Sequence, residues 1–221
     1  MIITRRGLLG AAAGTGVLIF VPGVAAQASG TNGGRWTGPR SANGWLIDPD
    51  AITTYQVAGS TATVALRPGP TAAVLLHVAR RWHYEIAALD SGEGGGIAGH
   101  TARRAVRADY ESNQLSGTAV ALHPTAYPVG GSERMWPWHE AIVRDILLDC
   151  AGTVVWGSDL TPAQVSHFHV VARPGDPALA RVAARLGRST QTEFRSQTAG
   201  RVADPSTPTR RGEAQRLPRP R

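Results

Sequence analysis

Only residues 35–187 of this 221-residue chain combine apolar periodicity with turn signals, and that window limits it to one domain of ordinary size. The ends have a different composition. Thr4-Arg5-Arg6-Gly7-Leu8-Leu9 has the form of a twin-arginine export signature, and an apolar stretch over residues 8–24 follows it. Small-residue cleavage signals close that stretch at Val24-Ala25-Ala26 or Ala26-Gln27-Ala28. The stretch is interrupted by Gly10, Gly14, Gly16, Pro22 and Gly23, and is shorter than the ~20 strongly apolar residues of a bilayer span. Residues 1–28 therefore read as a cleaved export signal, and contact with a membrane is expected only if the leader is retained. Residues 29–34, Ser-Gly-Thr-Asn-Gly-Gly, read as a flexible linker.

The net charge of +7 suggests a nucleic-acid partner until its distribution is read. Every basic residue is Arg. Residues 188–221 carry eight of them against Glu193, Asp204 and Glu213, and two more lie in the acid-free leader. The middle holds thirteen Arg and thirteen acids. A body without net charge argues against a nucleic-acid groove, so no nucleic acid is expected as a partner. The tail, rich in Arg, Pro, Ser and Thr, is expected to be disordered and drawn to anionic wall polymers or lipid headgroups.

Within the body, alternation over residues 61–66 predicts a strand. Val74, Leu75, Val78 and Trp82 predict a helix over 71–83 with Thr71 as its N-cap. Residues 118–123, 153–156 and 167–172 read as short strands, and 137–150 as a helix with Pro137 in its first turn. Asp176-Pro177 opens a last helix carrying Leu179, Val182, Ala183 and Leu186, with Gly187 as its stop. Strands and helices mix without strict alternation. The fold class is therefore α+β, a single domain with a small, mainly antiparallel sheet flanked by helices. Cys150, the one cysteine, ends the apolar pattern Ile142, Ile146, Leu147 and reads as a buried thiol.

Two segments carry chemistry-like spacing. The first is Ser112-Asn113-Gln114-Leu115-Ser116-Gly117-Thr118-Ala119-Val120-Ala121; the second runs from Trp156-Gly157-Ser158-Asp159 to Gln164 and Ser166-His167-Phe168-His169. Over residues 71–172 the chain thereby resembles the zinc D-alanyl-D-alanine carboxypeptidase / L-alanyl-D-glutamate endopeptidase family, which cuts peptidoglycan stem peptides. In that family the first segment reads S-x-H-x-x-G-x-A-x-D and the second W-G-G-D followed by acid-x-x-H. The resemblance implies a peptidase-like domain over residues 35–187, with the metal site on an exposed sheet face. It places the first zinc ligand at Gln114, the second at Ala121, the catalytic base at Gln164 and the third ligand at His167.

Only His167 keeps the family's residue type. A hydrolytic zinc site needs about three protein ligands and an open position for water. A neutral amide is a poor zinc ligand, and a methyl group is none. A carboxamide at position 164 cannot take a proton from water, and general-base catalysis contributes about 10²–10⁴-fold. No cofactor is therefore expected, and the chain is expected to bind peptidoglycan stem peptide, wall polymer or a partner protein without cutting it. The alternative is an active zinc peptidase with a rearranged site. Residues two apart on a strand share a face, so His123 and His169 would join His167 as ligands, and Glu111 or Asp109 would replace the base. Arg103 and Arg104 lie where the family often places a substrate-contacting arginine, and an arginine fork suits carboxylates. With Ser112 they are the candidate substrate-binding residues. Trp136, Trp138 and Tyr127 are candidates for a cleft wall or for packing. His77 and His139 carry no expected chemistry.

Overall fold

The computed structural model describes residues 34–196 and 207–217, with side chains over 34–187 and 207–217. The export signal and most of the linker lie outside the described residues. In chain order the elements are β1 (Gly34–Arg35), β2 (Thr53–Gln56), β3 (Thr63–Leu66), α1 (Pro70–Glu85), β4 (Ile97–Ala98), β5 (Ala105–Val106), α2 (Ser112–Leu115), β6 (Ala119–Leu122), α3 (Pro137–Asp149), β7 (Val154–Trp156), β8 (His167–Val170), α4 (Pro177–Ser196) and α5 (Pro208–Gln215). The architecture is α+β, as the mixed patterning implies. No helix among the described residues is long and apolar enough to cross a membrane.

The central sheet has the order β4-β6-β8-β7, with every neighbouring pair antiparallel. Two small antiparallel pairs, β2–β3 and β1–β5, stand beside it. The register sorts the side chains of β6 and β8 onto two faces. Val120 pairs with Phe168, while Ala119 faces His169 and Ala121 faces His167. Alternation then puts Val120, Leu122, Phe168 and Val170 on one face, and the two alanines and two histidines on the other.

The apolar face carries the core. Trp82 from α1 meets Phe168 edge-on at 5.8 Å, and Trp156 from β7 stacks on it at 6.3 Å. All three rings are essentially inaccessible to solvent. Burying aliphatic and aromatic side chains of this kind contributes about 1.5–3 kcal/mol each, so this face holds the sheet to its helices. α1 adds Val74, Leu75, Val78 and Ala79, and α4 packs along it with Leu179, Val182, Ala183 and Leu186.

Three helix boundaries differ from the sequence expectation. α1 begins at Pro70 with Gly69 as N-cap, and Thr71 lies buried inside the helix without capping it. Proline suits that first position because it has no N–H to leave unpaired. α4 does begin where Asp176 Oδ1 accepts the Ala178 amide at 2.8 Å, but it passes through Gly187 to Ser196. An interior glycine costs only about 1 kcal/mol relative to alanine, and the docked turns before it sustain the helix. The Arg-rich tail contains α5, which packs on α3, so residues 208–215 are helical rather than disordered. Its Arg210 donates to both Asp145 and Asp149 of α3. Those acids also receive Arg81 of α1, at 2.8 and 2.9 Å.

Candidate functional site

Leu115 ends α2, and Gly117 then turns the chain sharply into β6. Its φ is +68°, and a Cβ there would lie 2.5 Å from Ile52 Cδ1 and 2.7 Å from the Arg67 amide nitrogen. Only glycine fits. Beyond the turn, Ala121 reaches the middle of the polar sheet face. Across from it the chain returns through Gly157 and Gln164 into β8. The Gln164 amide donates to the Gly157 carbonyl at 2.9 Å, and the His167 amide to the Gln164 carbonyl at 3.0 Å. A Cβ on Gly157 would sit 2.2 Å from the Gln164 carbonyl oxygen and 2.8 Å from His167 Cβ. Trp156 fixes the same turn by donating Nε1–H to the Val165 carbonyl at 2.7 Å. Asp159 pairs with Arg144, whose guanidinium lies over the Trp156 ring at 4.7 Å.

These turns bring Gln114, Ala121 and Gln164 into the lining of one open cleft of about 850 Å³. His167 lies beside Ala121 in the register but does not line the cleft; it is wholly buried, with the Tyr110 ring 4.8 Å away. The cleft's charged residues are Arg35, Arg103, Arg107 and Glu111, an excess of positive charge. The β1–β5 pair, with Gly34 opposite Val106 and Arg35 opposite Ala105, sets Arg35 and Arg107 at the same cleft. The sequence reading missed both arginines, because strands of two residues carry no periodic signal.

Two of the proposed substrate contacts are structural. Arg104 donates to the carbonyls of Trp36 and Gly38, at 3.3 and 3.1 Å, and so pins the segment after β1. Ser112 is fully buried; its Oγ donates to the Asp109 carbonyl at 2.6 Å and accepts the Ala42 amide at 2.9 Å. Asn113 and Thr118 also hold this segment, through Asn43. Arg103 does line the cleft. Glu111 lines it too, but its Oε2 accepts from the Arg107 and Ala108 amides; Asp109 is not part of the lining.

The rearranged three-histidine site does not form. β6 ends at Leu122, and His123 adopts φ +52°, so the strand alternation stops one residue short of it. Its ring turns to the core side, 6.0 Å from Trp82, with Nε2 3.3 Å from the Ala88 carbonyl. His167 and His169 do share a face, and His167 Nε2 lies 3.1 Å from His169 Nδ1. Burial, with His169 adjoining, holds His167 well below the ordinary imidazole range, and burial lowers His169 to about 4. The pair is neutral and hydrogen-bonded through His167 Nε2 and His169 Nδ1, while His167 Nδ1 has no partner among the described residues.

The donor set does not fit zinc. Position 114 offers an amide, position 121 a methyl group, and His167 is wholly buried with its Nε2 turned to His169. Among the described residues no group of three or more His, Cys, Asp or Glu side chains is placed to hold a metal ion. The aromatic candidates also lie off the cleft lining. Trp136 and Trp138 stack on each other at 5.0 Å with more than half of each exposed, and Tyr127 packs against the core. His77 sits 3.1 Å from Asp149 beside the Arg81 and Arg210 pairs. Comparison of the chain with protein-family models, with curated proteins and with solved structures finds no match.

Proposed function

We propose that this chain is an exported, peptidoglycan-peptidase-like protein that binds a cell-wall stem peptide and does not cut it. One observation carries the reading. The three positions at which the resemblance substitutes zinc ligands and base, Gln114, Ala121 and Gln164, line a single cleft with Arg35, Arg103 and Arg107. The scaffold gathers a peptide-sized cleft with cationic groups for carboxylates. Its reactive positions hold side chains that neither activate water nor accept its proton. Export through the twin-arginine leader would deliver this cleft to the wall.

The test is calorimetric titration of the full mature chain with purified muropeptides, alongside chromatography of the peptide products. Saturable binding, weakened about five- to tenfold by Arg103→Ala as expected for loss of one charge-assisted contact, supports the reading. Release of stem fragments by protein carrying stoichiometric zinc overturns it.

A further inference from the structure

Gln164 is 6% exposed and lines the cleft, yet its Oε1 has no hydrogen-bond partner. The orientation of its amide is set from below. Nε2 donates to Ser166 Oγ at 3.3 Å, and that hydroxyl gives its own proton to the Tyr127 carbonyl at 2.7 Å. Ser166 Oγ has one proton and has spent it, so toward Gln164 it only accepts. Flipping the amide would set two oxygens together with no proton between them. The acceptor end is therefore the end left over. The neighbouring side chains leave it unserved: Ala121 has no polar atom, His167 Nε2 is occupied by His169, and His167 Nδ1, also buried, makes no hydrogen bond to it. Buried acceptors without donors are rare in folded proteins, and a partner arriving in the cleft removes the deficit.

We infer that Gln164 Oε1 receives an amide N–H of the bound ligand while the cleft's arginines hold a neighbouring carboxylate. The ligand class is thus the carboxyl end of a peptide rather than a free amino acid, an uncharged sugar or a phosphate. Three arginines against Glu111 disfavour an ammonium as the donor, and a peptide carries a neutral N–H beside its terminal carboxylate. Phosphate has anionic oxygens but no N–H to offer. This inference rests on the wall-peptide reading and sharpens it, since the position of the lost catalytic base becomes the ligand's hydrogen-bond acceptor.

Replacing the ligand's N–H by oxygen tests it. The probes are N-acetyl-alanyl-alanine, in both chiral forms, and the matching depsipeptide whose last amide is an ester. They are titrated into the full mature chain beside purified muropeptide. The wild-type protein is expected to prefer the amide about tenfold or more, because the ester sets an oxygen against a buried acceptor. Gln164→Met removes the acceptor and brings the two probes to within about twofold. Arg103→Ala weakens both probes alike. Equal binding of amide and ester by the wild type, or a preference that survives Gln164→Met, overturns the inference. Muropeptide binding without any binding of the dipeptides overturns it as well and leaves the wall-peptide reading standing. If neither muropeptide nor dipeptide binds, both readings fall.

Discussion

His167 and His169 show how one residue type can serve opposite ends in one fold. As a zinc ligand an imidazole needs a free lone pair aimed at solvent-accessible metal; here two imidazoles bond to each other beneath Tyr110. Their folded pKa values lie below the ordinary ~6.5, so between that value and about 4 the unfolded chain binds more protons than the native one. Stability is then full above about pH 6.5 and is lost as pH falls toward 4. His169 alone accounts for about 3 kcal/mol over that window. Urea denaturation at pH 7.5 and 4.5 should show the loss, and His169→Gln should reduce it while buried His167 keeps the remainder; a flat wild-type profile would contradict this account. Gly157 makes a second prediction. With no room for a Cβ between the Gln164 carbonyl and His167, Gly157→Ala should destabilise by about 2–3 kcal/mol and abolish ligand binding. A melting temperature within a degree of wild type would count against it. The sequence resemblance marked Gly157 and Gly117 as framework, and the close contacts supply the reason. It could not show His123 leaving the sheet face, because a left-handed φ at a non-glycine residue leaves no trace in a period-two pattern.

Among elements, legibility followed length and apolar content. α1, α3, β6 and β8 were readable because each shows a core-facing repeat, with Val74, Leu75, Val78 and Trp82 the clearest case. β1, β4 and β5 are two residues long and were invisible, yet the β1–β5 pair sets two of the cleft's arginines in place. α5 was missed for another reason. Its composition is that of a disordered tail, and its docking depends on Asp145 and Asp149, more than sixty residues away. The two halves of that ion network should respond unequally to mutation. Asp145 is buried with Arg81 and Arg210 on its two oxygens, so Asp145→Ala should cost about 3–5 kcal/mol. Arg210 is a quarter exposed, and Arg210→Ala should cost about 0.5–1 kcal/mol. Chemical denaturation of the two variants checks the order; a larger loss for Arg210→Ala would mean that α5 contributes more than its exposure implies. Part of the tail's positive charge is thus consumed inside the fold.

At the scale of the molecule, the polar sheet face and the apolar one serve separate tasks. The apolar face carries the helices, and the polar face borders a cleft. The sole cysteine sits on the apolar side at the end of α3, with no exposed surface, and burial pushes its thiol pKa up. A disulfide-exchange reagent therefore meets this sulfur only when the body opens, so labelling is a clock for whole-molecule opening. In native buffer the modification rate reports the free energy of that opening, without denaturant and without any engineered probe. The Asp145, Arg210, Gly157 and His169 variants can all be ranked on that one thiol.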